Sequence, residues 1–222
     1  LPVDAVQLIT STDRALVGRL LKLRQYIDVI IPRGGAGLIQ FVAENATIPV
    51  IETGAGVCHT YVDKDADVQM AAAVVHNAKV RRPTICNAMD SLLIHRSIAP
   101  TALPVIAARL VEAGVELHCD PAALALIPRL GVAATDDDWG KEFLSLTAAV
   151  KVVDSLDDAL NHIARYGSGH SEAIITNNAA AAQRFLNEVD AAAVYWNAST
   201  QFTDGGEFGL GAEIGISTQK LH

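Results

Sequence analysis

Cysteine is scarce in this chain. Cys58, Cys86 and Cys119 are the three among 222 residues, and none stands in a CxxC pair. An odd count without paired spacing argues against a disulfide framework and for a reducing compartment. Positive charge is also in deficit, with 17 Lys and Arg against 25 Asp and Glu and a net charge of −8. Nucleic acid and anionic membranes need clustered Lys and Arg. Arg81 and Arg82 are only a pair, so neither partner is expected. No apolar run reaches the roughly 20 residues of a membrane span. The opening LPVDAVQLIT lacks the basic n-region and long apolar h-region of a signal peptide. A cytoplasmic protein is therefore expected. The first residue is Leu rather than Met, so the chain is expected to be part of something longer. The seven histidines, His59, His76, His95, His118, His162, His170 and His222, show no HxxxH or His/Cys spacing, so no metal site is expected. A GxSxG elbow and a GxxxxGK[ST] loop are both missing.

Half the residues are apolar and 19% are charged, a balance that buries a sizeable core and argues against disorder. The pattern alternates apolar strand, turn and amphipathic helix. Strands are expected at 5–9, 27–31 and 48–52, with helices at about 12–25 and 38–45. That spacing implies parallel pairing through crossover helices. TGAG (53–56) breaks the pattern and marks the expected domain boundary. Beyond it, strands are expected at 57–62, 91–95, 115–119, within 144–153, at 172–176 and at 192–197. Helices fall between them at 67–79, 101–113, 155–167 and 178–189. The segment 203–215 is glycine-rich and reads as irregular. No internal repeat or low-complexity linker is present.

Four features could carry chemistry. PRGGAG (32–37) ends a strand and opens a helix, where glycines let a phosphate approach backbone N–H groups; a plain tight turn is the other reading. RRPTICNA (81–88) puts Cys86 in a loop after two arginines. A thiolate is the reactive form of cysteine, and Arg81 and Arg82 would favour it if their side chains point inward. The Cys86 N–H, with a side-chain amide, could then hold an oxyanion. Against this stands the buried free cysteine that serves only as a small hydrophobe. Cys58 and Cys119 read that way. Glu52 ends a strand just before TGAG and could act as a base, or be a solvated strand end. Glu142 could bond a ribose hydroxyl, or be a surface glutamate.

IPRGGAGLI, ETGAGVCHTYVD, NAKVRRPTICNAMDSLLIH and NASTQFTDGGEFGLGAEIGIST together closely resemble the gamma-glutamyl phosphate reductase (glutamate-5-semialdehyde dehydrogenase) family of the aldehyde dehydrogenase superfamily. The match runs over essentially the whole chain in the same order. The resemblance implies an α/β, aldehyde-dehydrogenase-like fold: an open parallel-type sheet with flanking helices, plus the end of a Rossmann-like cofactor domain. It implies the C-terminal part of an NADP-binding domain at 1–53, a cysteine-bearing catalytic domain at 54–204, and a segment at 205–222 crossing back toward the cofactor domain. Cys86 matches the catalytic cysteine, and Glu52 the general base of hydrolytic members. Gly34 and Gly35 match the turn against the cofactor. Glu142 matches the glutamate on the nicotinamide ribose. Asn197, Ala198, Ser199 and Thr200 match the substrate-anchoring loop, and Arg81 is assigned no role. The activity implied is NADPH-dependent reduction of L-glutamyl 5-phosphate to L-glutamate 5-semialdehyde through a Cys86 thioester, with release of phosphate, in proline biosynthesis. A homo-oligomer and a functional contact with glutamate 5-kinase are implied as well.

Three other readings compete. One is a different cysteine-dependent aldehyde dehydrogenase, separated by its preference for simple aldehydes. Another is a non-catalytic oligomerising fragment, in which Cys86 would react slowly. The third is a nucleotide-binding module without chemistry, which PRGGAG alone would permit.

Overall fold

The computed structural model describes residues 2–213 and 217–220; Leu1, 214–216, Leu221 and His222 lie outside the described residues. The chain divides into two compact units, one ending at Thr53 and one running from Gly54 to Lys220.

The first unit holds two helices, α1 (Ala15–Leu20) and α2 (Ala36–Asn45). The strand expected at 5–9 does not form. Val6 and Leu8 are 85% and 84% exposed, and no described segment pairs with them. An apolar run becomes a strand only where a neighbour takes its N–H and C=O groups. The strands expected at 27–31 and 48–52 reduce to one parallel bridge between Ile30 and Val50. The helix expected at 12–25 shortens because its last turns tighten to three-residue spacing, Lys22 to Arg19 and Leu23 to Leu20.

The second unit is built on seven parallel strands. In chain order these are β1 (Cys58–Val62), β2 (Met89–His95), β3 (Glu116–Cys119), β4 (Val132–Ala133), β5 (Thr147–Val153), β6 (Ser171–Ile175) and β7 (Ala193–Trp196). Their order in the sheet is β4-β3-β5-β2-β1-β6-β7. The crossover helices are α3 (Val68–Val80), α4 (Ala99–Glu112), α5 (Pro121–Leu126), α6 (Leu156–Tyr166) and α7 (Ala179–Glu188). Side-chain caps start α3, α6 and α7: Asp67, Ser155 and Asn178 accept N–H groups from the first turn of each.

Period-two alternation splits the core. Val62, Leu92, Ile94, Val150 and Ile175 share one cluster with residues of α3, α4 and α5. Their neighbours Tyr61, Leu93, Val153 and Ile174 share the other with Ile163 of α6 and Phe185 of α7. Both faces are covered, which is why the strands read as continuous apolar runs. Helix α5 and strand β4 were not expected. Six and two residues are too short for a periodic signal, although Asp120 before Pro121 is a helix-start pattern. Among the described residues, no helix is long and apolar enough to cross a membrane.

Candidate active site

Cys58 opens β1, and Cys86 stands three residues before Met89 opens β2. Both lie at the amino ends of adjacent parallel strands. Cys86 is half-buried, whereas Cys58 and Cys119 are buried. Burial pushes the Cys119 thiol up to about 12. Burial, with Glu172 and Asp90 nearby, also raises the Cys58 thiol well above its ordinary value. Cys58 therefore stays a protonated donor, and its Sγ gives a hydrogen bond to the Cys86 carbonyl at 3.3 Å.

Three further contacts hold the main chain around Cys86. The first is Gly56, where a β-carbon would fall 1.8 Å from the Cys86 carbonyl oxygen. The second is Asn87, buried, whose Nδ2 donates to the Thr203 carbonyl at 2.9 Å. The third is the Asn87 carbonyl, which accepts the Thr200 hydroxyl at 2.7 Å. Gln201 adds a bond from Nε2 to the Ala78 carbonyl at 2.9 Å, tying the same segment to the end of α3. The Asn197–Thr200 loop and the Cys86 loop are thus stitched together, although over a hundred residues separate them in sequence.

Glu142 reaches this cluster too. Its Oε1 accepts the Gly56 N–H at 2.9 Å. The next residue, Phe143, donates its N–H to Asp90 Oδ1 at 3.0 Å. Asp90 is paired with Lys79 at 3.6 Å, both essentially buried. Burial lifts the Asp90 carboxyl to about 6 and depresses the Lys79 ammonium, each partly offset by the other's charge. A buried ion pair thus anchors the strand that follows Cys86 and the turn that carries Glu142. Thr203 is a second hub. Its hydroxyl lies 2.7 Å from Ser171 Oγ and 2.8 Å from the Tyr195 hydroxyl, and Ser171 Oγ lies 2.8 Å from His170 Nδ1.

Several predicted residues have engaged side chains. Asn197 adopts φ 55°; its Oδ1 accepts the Thr176 N–H and its Nδ2 donates to the Thr176 carbonyl. Ser199 caps the turn that follows by accepting the Gln201 N–H. Thr200 is fully buried. The Arg81 guanidinium pairs with Glu207 rather than turning inward, and Arg82 is exposed. Glu52 is half-buried and belongs to the first unit. Also in that unit, Gly35 precedes α2 as a cap without a side chain. A β-carbon on Gly35 or Gly37 would meet nothing within 4 Å, and one on Gly34 would strike a Leu38 methyl. The start of α2 therefore offers backbone N–H groups beside open space, which fits an anionic group of a nucleotide. Glu142 keeps one carboxylate oxygen beyond its bond to Gly56, which suits a sugar hydroxyl.

Sequence reasoning missed Gly56, Lys79, Asp90 and Thr203. A charge inside the apolar run AMDSLLIH was the signal available for Asp90.

No family model matches the chain. Curated relatives do. Gamma-glutamyl phosphate reductase of Dehalococcoides mccartyi strain CBDB1 is 62% identical over 226 residues, covering 100% of this chain and 53% of that protein. The crystal structure of gamma-glutamyl phosphate reductase from Thermotoga maritima superposes with a TM-score of 0.93 at 53% identity, over 96% of this chain and 51% of that one. An acetylating aldehyde dehydrogenase from Geobacillus thermoglucosidasius shares the fold at 18% identity, with a TM-score of 0.67 over 95% of this chain and 54% of that one. The chain spans about half the length of the curated relatives it matches.

Proposed function

The chain is a homologue, over its whole length, of the gamma-glutamyl phosphate reductases, and we propose that it carries the cysteine chemistry of that reduction. The substrate on this reading is an acyl phosphate, L-glutamyl 5-phosphate, and the product is L-glutamate 5-semialdehyde. The observation that carries the reading is the setting of Cys86: a half-exposed thiol on a backbone fixed by Gly56, Cys58 and Asn87. A nucleophile held this firmly loses little freedom on reaching its attack geometry.

The Cys86 thiolate attacks the γ-carbonyl carbon. A C–S bond forms, the C–O bond to phosphate breaks, and phosphate leaves with the electron pair. The result is a thioester, which splits one difficult step into two easier ones. When bound, the nicotinamide cofactor, NADPH, supplies hydride for reducing the thioester. Breakdown of the reduced adduct then returns the thiolate to Cys86 and releases the aldehyde. Gly34 and Gly35 would lie against the cofactor's phosphates, and the second Glu142 oxygen would hold its ribose. The Asn197–Thr200 loop would anchor the substrate's α-carboxylate through main-chain groups, since the Asn197 and Thr200 side chains are engaged. Glu52 receives no step, because reduction of an acyl phosphate needs no water. On the same reading the protein serves proline biosynthesis in the cytoplasm, as a homo-oligomer in functional contact with glutamate 5-kinase.

The test is reduction of L-glutamyl 5-phosphate by the wild type and by Cys86→Ser, with alkylation of each cysteine followed by peptide mass spectrometry. Turnover should vanish in the variant, and Cys86 should alkylate far faster than Cys58 and Cys119. A variant that turns over near the normal rate would end the reading. Preference for a simple aldehyde over the acyl phosphate would move it to another cysteine-dependent aldehyde dehydrogenase.

A further inference from the structure

Arg96, Asp120 and Asp154 stand directly after β2, β3 and β5 and line one end of a cavity of about 610 Å³. The cavity runs from there along α6 to Tyr166. Strands β2 and β3 lead into α4 and α5 on one face of the sheet. Strand β5 lies between them and leads into α6 on the other. Where connections part to opposite faces, a crevice is left at the carboxyl ends of the strands, and open α/β sheets bind ligands there. Cys86 precedes β2 and so belongs to the opposite edge. The volume falls within the roughly 300–1,000 Å³ of small-molecule sites.

The wall contains an unmet polar group. His162 is 6% exposed, and its Nε2 has no hydrogen-bond partner. Its ring is held by Trp139, edge-on at 5.5 Å, and by Tyr166 at 4.7 Å.

The charges of the cavity specify the ligand. Arg96 and Asp154 neutralise each other. The two oxygens of Asp120 accept the Ala123 and Val152 N–H groups. Beyond that pair stand Lys151 over the Trp139 ring and Arg165 over the Tyr166 ring as cations, and Asp120, Asp136 and Asp158 as carboxylates, with Asp120 already bonded and one Asp158 oxygen accepting the Ser155 hydroxyl. A polyphosphate or a polyamine would set its charge against like charges. A metal ion lacks a site, since no three His, Cys, Asp or Glu among the described residues are placed to hold one. A small zwitterion meets both signs.

We propose that this cavity binds a free α-amino acid, with its carboxylate toward Lys151 and Arg165 and its ammonium toward Asp136 and Asp158, against the wall that Trp139, His162 and Tyr166 form. The inference goes beyond the reductase reading and does not depend on it. The test uses the full chain carrying Trp196→Phe, which leaves Trp139 in the cavity wall as its one tryptophan. Glycine, L-glutamate and L-phenylalanine are titrated while Trp139 emission is read. N-acetylglycine and glycinamide, each lacking one of the two charges, and inorganic phosphate serve as controls. At least one free amino acid should give a saturable change that the controls do not. Lys151→Met and Asp158→Asn should each weaken it at least about tenfold, the scale of one lost charge-assisted contact. Circular dichroism establishes that each variant folds, and Arg165→Gln replaces either that does not. No saturable change with any amino acid overturns the proposal. So does a change that phosphate, N-acetylglycine or glycinamide reproduces, or one that survives the substitutions unweakened, as binding at the Cys86 edge would.

Discussion

Gly56 lies against the main chain of Cys86 so closely that any side chain would overlap it. A β-carbon there would sit 1.8 Å from the Cys86 carbonyl oxygen, 2.6 Å from its carbon and 2.8 Å from its Cα. The same glycine gives its N–H to Glu142. One residue without a side chain therefore fixes both the proposed nucleophile and the proposed ribose contact. The need is for close approach rather than for an unusual backbone angle.

Gly56→Ala should consequently push the Cys86 loop away from β1. Overpacking of this kind costs about 1–3 kcal/mol of stability, and a shift of about 1 Å in a reacting group can cost on the order of 10² in rate. The expected outcome is a folded protein, lower in melting temperature, whose Cys86 alkylates abnormally and whose reduction rate falls by roughly that factor. A variant with wild-type Cys86 reactivity would show that the loop has room the geometry denies.

The Lys79–Asp90 pair should behave as a buried ion pair does. Lys79→Met leaves the Asp90 carboxylate without its counter-charge and should cost about 3–5 kcal/mol in urea unfolding. Adding Asp90→Asn removes the stranded charge while an amide oxygen can still accept the Phe143 N–H. The double variant should therefore be more stable than Lys79→Met alone. If the two losses simply add, the residues are not coupled.

The sheet was legible because its strands are buried on both faces and its helices announce their starts. LLI in β2 and AII in β6 are uninterrupted apolar runs, and Asp67 stands one residue before α3. Residues 5–9 carry a similar signal and form no strand, since periodicity cannot report whether a partner strand exists. The site divides in the same way. Cys86 draws attention through its own loop and through the family resemblance. Its supports do not, because they are tertiary pairings: Cys58 is 28 residues from Cys86, and Thr203 is 116 from Asn87. Gly56 is one of 16 glycines, and only the folded chain shows what it touches.

Two buried histidines set an acid limit. Burial pushes His162 down to about 3 and His170 to about 4, against about 6.5 in an unfolded chain. Groups with depressed folded values bind fewer protons in the native state. Their contribution is full above pH 6.5 and is lost as pH falls toward 4 and then 3. Asp90, whose carboxyl burial lifts to about 6, and buried Glu172, also raised, work the other way as pH falls, so the wild type should lose urea resistance below about pH 6.5 only by the histidines' excess over these carboxyls. His162→Phe combined with His170→Gln should flatten that decline, whatever it costs at pH 7. Parallel curves would mean that other groups govern acid unfolding.

Asn197 holds Thr176 at both ends of one peptide position, accepting its N–H at 2.9 Å and donating to its carbonyl at 3.1 Å, at a φ of 55°. Two substitutions separate side chain from backbone. Asn197→Gly keeps the left-handed conformation at little cost and loses only the side-chain bonds, roughly 1–3 kcal/mol. Asn197→Ala loses the same bonds and pays about 1 kcal/mol more for its β-carbon at positive φ. The alanine variant should therefore melt below the glycine variant, and both below the wild type. The substrate side of the same experiment is the KM for the acyl phosphate. Because the Asn197 amide is spent on Thr176, its loss should reach the substrate only through the loop it holds. The KM should then rise further in the alanine variant than in the glycine variant, in step with melting temperature. A glycine variant with undiminished stability and a large rise in KM would instead show that the amide itself touches the substrate.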